Sequence, residues 1–221
     1  MNVALFLIIL LLSLFSLFFY YFEKSKMDEK IIAIIATLGA LAAVGRILFA
    51  AIPNVKPTTF LVMISGYVFG MRAGFLVGVL AAFFSNFYLG QGPWTLWQML
   101  AWGLSGVFAG LLRRIMDRKE SEKPLLASRK KRWIFIASCT VWGYLFGWIM
   151  NLWYFLAYGS YLTWGGFLAV YAAGFSFDTA HALGNLLFAS LFTTVTVKTL
   201  HRYHRKLLVS QWPLKEGSPS P

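Results

Sequence analysis

Charge is scarce in this chain, and cysteine is scarcer. Only 13% of the 221 residues are charged, and Asp and Glu together number 8. No polar stretch is long enough for a separate soluble domain; the longest is the segment around residues 113–132. The single cysteine, Cys139, lies inside an apolar run, which excludes an intramolecular disulfide and any Cys-based metal cluster. No GxxxxGK(S/T) loop occurs, so energy from ATP has to come from another chain. Nor do apolar and polar residues alternate in the ten-residue segments of a transmembrane barrel.

What the chain has instead is long apolar blocks, at roughly 3–22, 31–52, 58–71, 73–90, 94–112, 133–157 and 172–198. About 20 apolar residues at 1.5 Å each match a hydrocarbon core roughly 30 Å thick, so the blocks read as spanning helices. The fold class is therefore all-α integral membrane. Breakers separate the blocks: Pro53 and Pro57, Met71-Arg72, Gly90-Gln91-Gly92-Pro93, the charged segment, and Gly159 to Gly166. Block 58–71 is short for a full span; either its boundaries differ or it is sheltered inside the bundle. The first block is followed, not preceded, by Lys24, Lys26 and Lys30, the reverse of a cleaved signal peptide. Residues 1–23 thus read as an additional N-terminal transmembrane anchor, residues 31–198 as a six-helix domain, and residues 199–221 as a basic cytoplasmic tail.

The net charge of +12 points to orientation rather than nucleic acid. With the 24–30 segment placed inside, three basic residues fall there, then Arg72, nine in 113–132 and five from Lys198 onward, eighteen of the twenty. That bias predicts a six-helix core with both termini cytoplasmic, and contact with anionic lipids.

Polar groups within a bilayer are costly and need a partner or a function. The candidates are Arg46, Asn86, Gln98, Asn151, Asp178, His181 and Asn185. Arg46 stands seven residues before Pro53, roughly 10 Å below the outer end of its helix. Nearly all of the others fall in the outer half too, although their helices run in both directions. A proton relay or ion path would need polar groups through the full depth, so the pattern predicts a solute pocket closed below and open to the outside. Asp178, His181 and Asn185 share one helical face at i, i+3 and i+7. Asp178 could pair with Arg46, either as a bundle strut or in the pocket wall. Asn86, Gln98 and Asn151 could equally bond between helices. Trp94 and Trp97 are interfacial anchors or, with Gln91 in the Gly90–Pro93 turn, an aromatic lid; the Lys56 loop faces the same side. Small residues recur at fours: Ala36 with Ala40, Gly39 with Ala43, and Gly66, Gly70, Gly74 and Gly78. This spacing lets helix backbones approach closely, for internal packing or to dock a partner.

The stretch KPTTFLVMISGYVFGMRAGFLVGVLAAFFSNFYLGQGPWTLWQMLAWGLSGVFAGLL, from Lys56 onward, resembles the substrate-binding S component of energy-coupling factor (ECF) vitamin transporters. FSFDTAHALGNLLF at 175–188 is similar to the last helix of that family. The resemblance covers about residues 31–198. It implies a six-helix S-component bundle in a bacterial or archaeal plasma membrane. It also implies a vitamin-like substrate, no catalytic role or cofactor of its own, and partners comprising a transmembrane coupling subunit and two ATPase subunits. Ala36 and Ala40 match the family's first-helix AxxxA, which contacts the coupling subunit. The family is held to release substrate by toppling in the membrane; the helix at 3–22 departs from its six-helix pattern. Within the family, GQGPWTLWQM looks most like components assigned to cobalamin or related corrinoids.

Two other readings stand beside this one. Gly103-Leu-Ser105-Gly106 and Ala180-His181-Ala-Leu-Gly184 resemble motifs of rhomboid-type intramembrane serine proteases, with a Ser105–His181 dyad. No helix, however, supplies the His and Asn expected for an oxyanion site. The last is a scaffold protein without a ligand.

Overall fold

In the computed structural model the described residues are 29–117, 125–158 and 163–210, with isolated helical positions at Ile9, Leu12, Ser13, Ser16 and Tyr20. The expected 3–22 helix therefore lies largely outside the described residues, as do the Gly159–Leu162 part of the 159–166 loop and the tail from residue 211. The described chain is all helical: α1 (Glu29–Leu48), α2 (Thr58–Phe69), α3 (Met71–Leu89), α4 (Trp94–Met116), α5 (Arg129–Tyr158) and α6 (Trp164–Ser210). All but α2 are long and apolar enough to cross a membrane. Large apolar side chains such as Leu41, Val44, Phe84, Leu187, Leu191 and Val195 point outward, as a bilayer permits.

The short α2 is the centre of the bundle and touches each of the other five helices. Ten of its residues between Thr58 and Val68 are buried, so at 12 residues it is sheltered by its neighbours instead of spanning. A single residue, Gly70, joins α2 to α3 with φ +96°, a conformation that side-chain-bearing residues rarely adopt. The glycines at fours then let α2, α3 and α4 meet backbone to backbone. A Cβ at Gly66 would strike the Gly106 carbonyl, and one at Gly78 would lie 2.5 Å from the Trp102 carbonyl carbon. With no net hydrophobic drive between helices in lipid, such close packing is a main source of cohesion. On the other side α5 and α6 form an extensively packed hairpin.

The helix bounds differ from the apolar blocks in an instructive way. α5 begins at Arg129, and α6 runs 47 residues from Trp164 to Ser210, not 172–198. The apolar run measures the bilayer, whereas Lys and Arg are good helix formers that carry a helix on into water. At the other end Thr163 starts α6, its hydroxyl accepting from Gly166 N–H at 3.1 Å. α1 ends early, at Leu48, because residues 49–55 close into successive tight turns before Pro57. Asn54 Nδ2 donates to the Phe177 carbonyl at 3.0 Å, tying this turn to α6 thirteen residues after its start. The α5–α6 hairpin thus projects on the order of 20 Å past the α1–α2 turn.

Candidate functional site

At the end of the bundle carrying Lys56, the polar side chains join into one chain of contacts. Arg46, in the last turn of α1, is 7% exposed. Its Nη1 donates to Ser85 Oγ at 2.6 Å and to Asn86 Oδ1 at 2.5 Å, both on α3. Its Nη2 reaches Gln98 Oε1 on α4 at 3.3 Å. Asn86 Nδ2 in turn donates to Gln98 Oε1 at 2.8 Å and to Thr95 Oγ1 at 2.9 Å. Thr95 donates to Gln91 Oε1, and Gln91 Nε2 donates to the Phe83 carbonyl at 2.9 Å, closing the α3–α4 turn.

The guanidinium also lies over the Trp102 ring, 4.9 Å from its centroid, a cation–π arrangement. Trp102 Nε1 donates to Thr59 Oγ1 at 3.0 Å, and Thr59 Oγ1 lies 2.8 Å from His181 Nε2 on α6. Phe146 of α5 fills the wedge, 4.5 Å from Trp102 and 4.9 Å from His181, centroid to centroid. Lys56 is half-buried in the turn above, with its backbone N 3.5 Å from where a Cβ on Gly184 would stand. Burial pushes its ammonium down to about 8, and the nearby Arg46 charge pushes the same way.

Asp178 goes elsewhere. Its Oδ2 accepts from Asn151 Nδ2 at 2.9 Å, and Gly147 and Gly174 leave the room that the pair occupies. Among the described residues it forms no ion pair with Arg46, so of the alternatives the sequence left open the Asp178–Arg46 pair is not formed: Arg46 turns toward α3 and α4, Asp178 toward α5. Asn185 Nδ2 donates to the Cys139 carbonyl at 3.0 Å, deeper in the hairpin, so it is a clamp between α5 and α6. Trp97 is buried, and Trp94 packs edge-on against Trp153 of α5, 6.0 Å between centroids. Of the small residues on α1, Gly39 and Ala43 are buried, Gly39 against Leu80, whereas Ala36 and Ala40 are exposed.

The structure does not join Ser105 to His181. Ser105 Oγ donates to the Trp102 carbonyl of its own helix at 2.6 Å, and His181 is engaged by Thr59. Sequence reasoning missed Thr59, Ser85, Thr95 and Trp102. A hydroxyl in an apolar helix ordinarily bonds back to its own backbone, as Ser85 also does to Ala81, so sequence alone gives no reason to single it out. The KPTT and GPWT segments that hold the two threonines were the only available signal.

Most of the buried polar side chains of this helical membrane bundle thus gather at one end. The chain matches the family of ECF transporter substrate-specific components over residues 30–203 and belongs to that family. It is the substrate-binding subunit of an ECF importer, a multi-pass membrane protein. No curated protein and no solved structure shows a significant match.

Proposed function

We propose that the chain captures a vitamin or related micronutrient at its Lys56 end, with that end facing outward, and delivers it through a coupling subunit and two ATPase subunits. One observation carries this reading. Every described helix contributes a buried or half-buried polar side chain to that end: Arg46, Thr59, Asn86, Gln98, Asn151 and Asp178 among them. Membrane helices are held together adequately by small residues, so so many desolvated polar groups at one level point to a ligand. The half-buried Phe146 offers a ring beside them, which suits a ring-bearing substrate. A corrinoid is the first candidate, on the resemblance of GQGPWTLWQM; Gln91 and Gln98 of that segment also hold the α3–α4 turn and Arg46 in place. The exposed Ala36 and Ala40 leave a flat strip on α1 for the coupling subunit.

Native purification followed by mass spectrometry of co-purified small molecules tests this. A micronutrient at unit stoichiometry, together with uptake that requires an ATPase pair, is the expected result. Uptake that persists without those ATPases overturns the importer reading, and covalent labelling of Ser105 by a fluorophosphonate with no bound metabolite turns it toward the protease.

A further inference from the structure

Among the described residues, the two cations at the Lys56 end lack a counter-charge. Arg46 is 7% exposed, and all its hydrogen bonds go to neutral oxygens, those of Ser85, Asn86 and Gln98. Its Nε is buried without any partner. Lys56 has no hydrogen bond or ion pair among the described residues. The nearest candidate carboxylate, Asp178, is engaged by Asn151. Buried charges in proteins are mostly paired or bound to ligands, because leaving water costs several kcal/mol per ion and neutral acceptors or a ring face offset it less fully than an opposite charge. Among the described residues that pairing is absent, although the neutral side chains of Ser85, Asn86 and Gln98 surround Arg46.

The cations also frame one spot. Arg46 lies on Trp102, Trp102 donates to Thr59, and Thr59 meets His181. Lys56 sits three residues before Thr59 and packs at Gly184, three residues beyond His181 on α6. Both charges thus act on the same neighbour, His181, beside the half-buried ring of Phe146.

We propose that the substrate carries an anionic group, a carboxylate or phosphate, that docks between Arg46 and Lys56 and supplies the missing counter-charge. This deepens the reading of that end as the substrate site and rests on it. The ring of such a substrate lies toward the half-buried Phe146. An anion is desolvated on entry, and a fixed guanidinium held by three neutral side chains is oriented in advance to receive it.

The test uses the full chain in lipid nanodiscs and calorimetric titration with matched pairs: nicotinate and nicotinamide, biotin and biotinamide, pantothenate and pantothenol, pyridoxal phosphate and pyridoxal, thiamine monophosphate and thiamine. Mass spectrometry of whatever co-purifies runs alongside. The expected result is that the binding compound is an acid, by carboxylate or by phosphate according to the pair, and that its neutral partner binds at least tenfold more weakly. Lys56→Gln, in a turn and half-buried, then shrinks the acid-over-neutral preference roughly ten- to a hundredfold, the size of a lost charged hydrogen bond. Arg46→Gln should do the same. A neutral or cationic compound that co-purifies, or equal affinity for both members of a pair, overturns the anion site and leaves the importer reading standing. No compound bound by any route overturns both.

Discussion

The Arg46 guanidinium donates to the side-chain oxygen of Asn86 at 2.5 Å, and Asn86 passes the contact on to Thr95 and Gln98. One amide thereby links α1, α3 and α4. Replacing it with the nearly isosteric Asn86→Asp gives Arg46 an internal counter-ion. The folded protein should then melt at a higher temperature, while affinity for an acidic substrate falls at least tenfold. Asn86→Ala, by contrast, should destabilise the bundle by about 1–3 kcal/mol, because the guanidinium loses an acceptor it cannot replace from water. Scanning fluorimetry on the Trp-rich chain, with titration of the co-purified compound, reads both effects.

Lys56 predicts a pH dependence with a definite sign. Its folded pKa is lowered to about 8 from 10.5, so between those values the unfolded chain holds more protons than the folded one. Stability of the unliganded protein should therefore rise as pH climbs from about 8 to 10.5. Binding of an acid should move the opposite way, weakening as Lys56 loses its proton near pH 8, with Arg46 and His181 the charged or titratable groups closest to it. Titrations at pH 7 and pH 9.5 on wild type and Lys56→Arg check this; the arginine should hold its affinity at the higher pH.

Gly66 lies against the Gly106 carbonyl with no room for a side chain. Gly66→Ala should push α2 away from α4 and cost about 1–3 kcal/mol or more, as overpacking does. Size-exclusion profiles of the purified protein should show loss of the monodisperse peak. Gly165→Ala, at a position where an added Cβ meets nothing within 4 Å, is the control and should behave as wild type.

At the opposite end, Asp117 accepts from Tyr67 Oη at 2.7 Å, from Lys131 and from the Leu126 backbone N–H. Burial alone would raise its pKa, but these three donors outweigh it and leave the carboxyl below its ordinary 3.8. The stability it contributes is present above that value and lost as pH falls below it. Tyr67→Phe should lower the melting temperature at pH 7 and flatten its decline toward pH 3.

Ala40 is exposed on α1 while Gly39 beside it faces Leu80. Ala40→Trp should leave substrate affinity unchanged and abolish uptake by blocking the coupling subunit. Loss of binding in this variant would show instead that the strip supports the fold.

The sequence by itself determined a great deal about the membrane and little about the site. Block length against bilayer thickness predicted the six core helices, and the glycines at fours foretold close backbone packing of α2 and α3, because backbone approach depends only on absent side chains; that α4 meets them there was not read from the sequence. The family resemblance was also legible there, in the segment from Lys56 to Gly110. Helix ends were not: α6 outruns its apolar block at both ends, since hydropathy reports the solvent around a helix and not where its hydrogen bonds stop. Nor was the partner of Arg46. Sequence offered Asp178 as the obvious opposite charge, yet the direction a side chain takes is set by the rotation of α1 against α3 and by the turn at 49–57. Tertiary structure alone decided that Arg46 would face neutral amides, that Asp178 would face Asn151, and that both cations would be left without a counter-ion among the described residues.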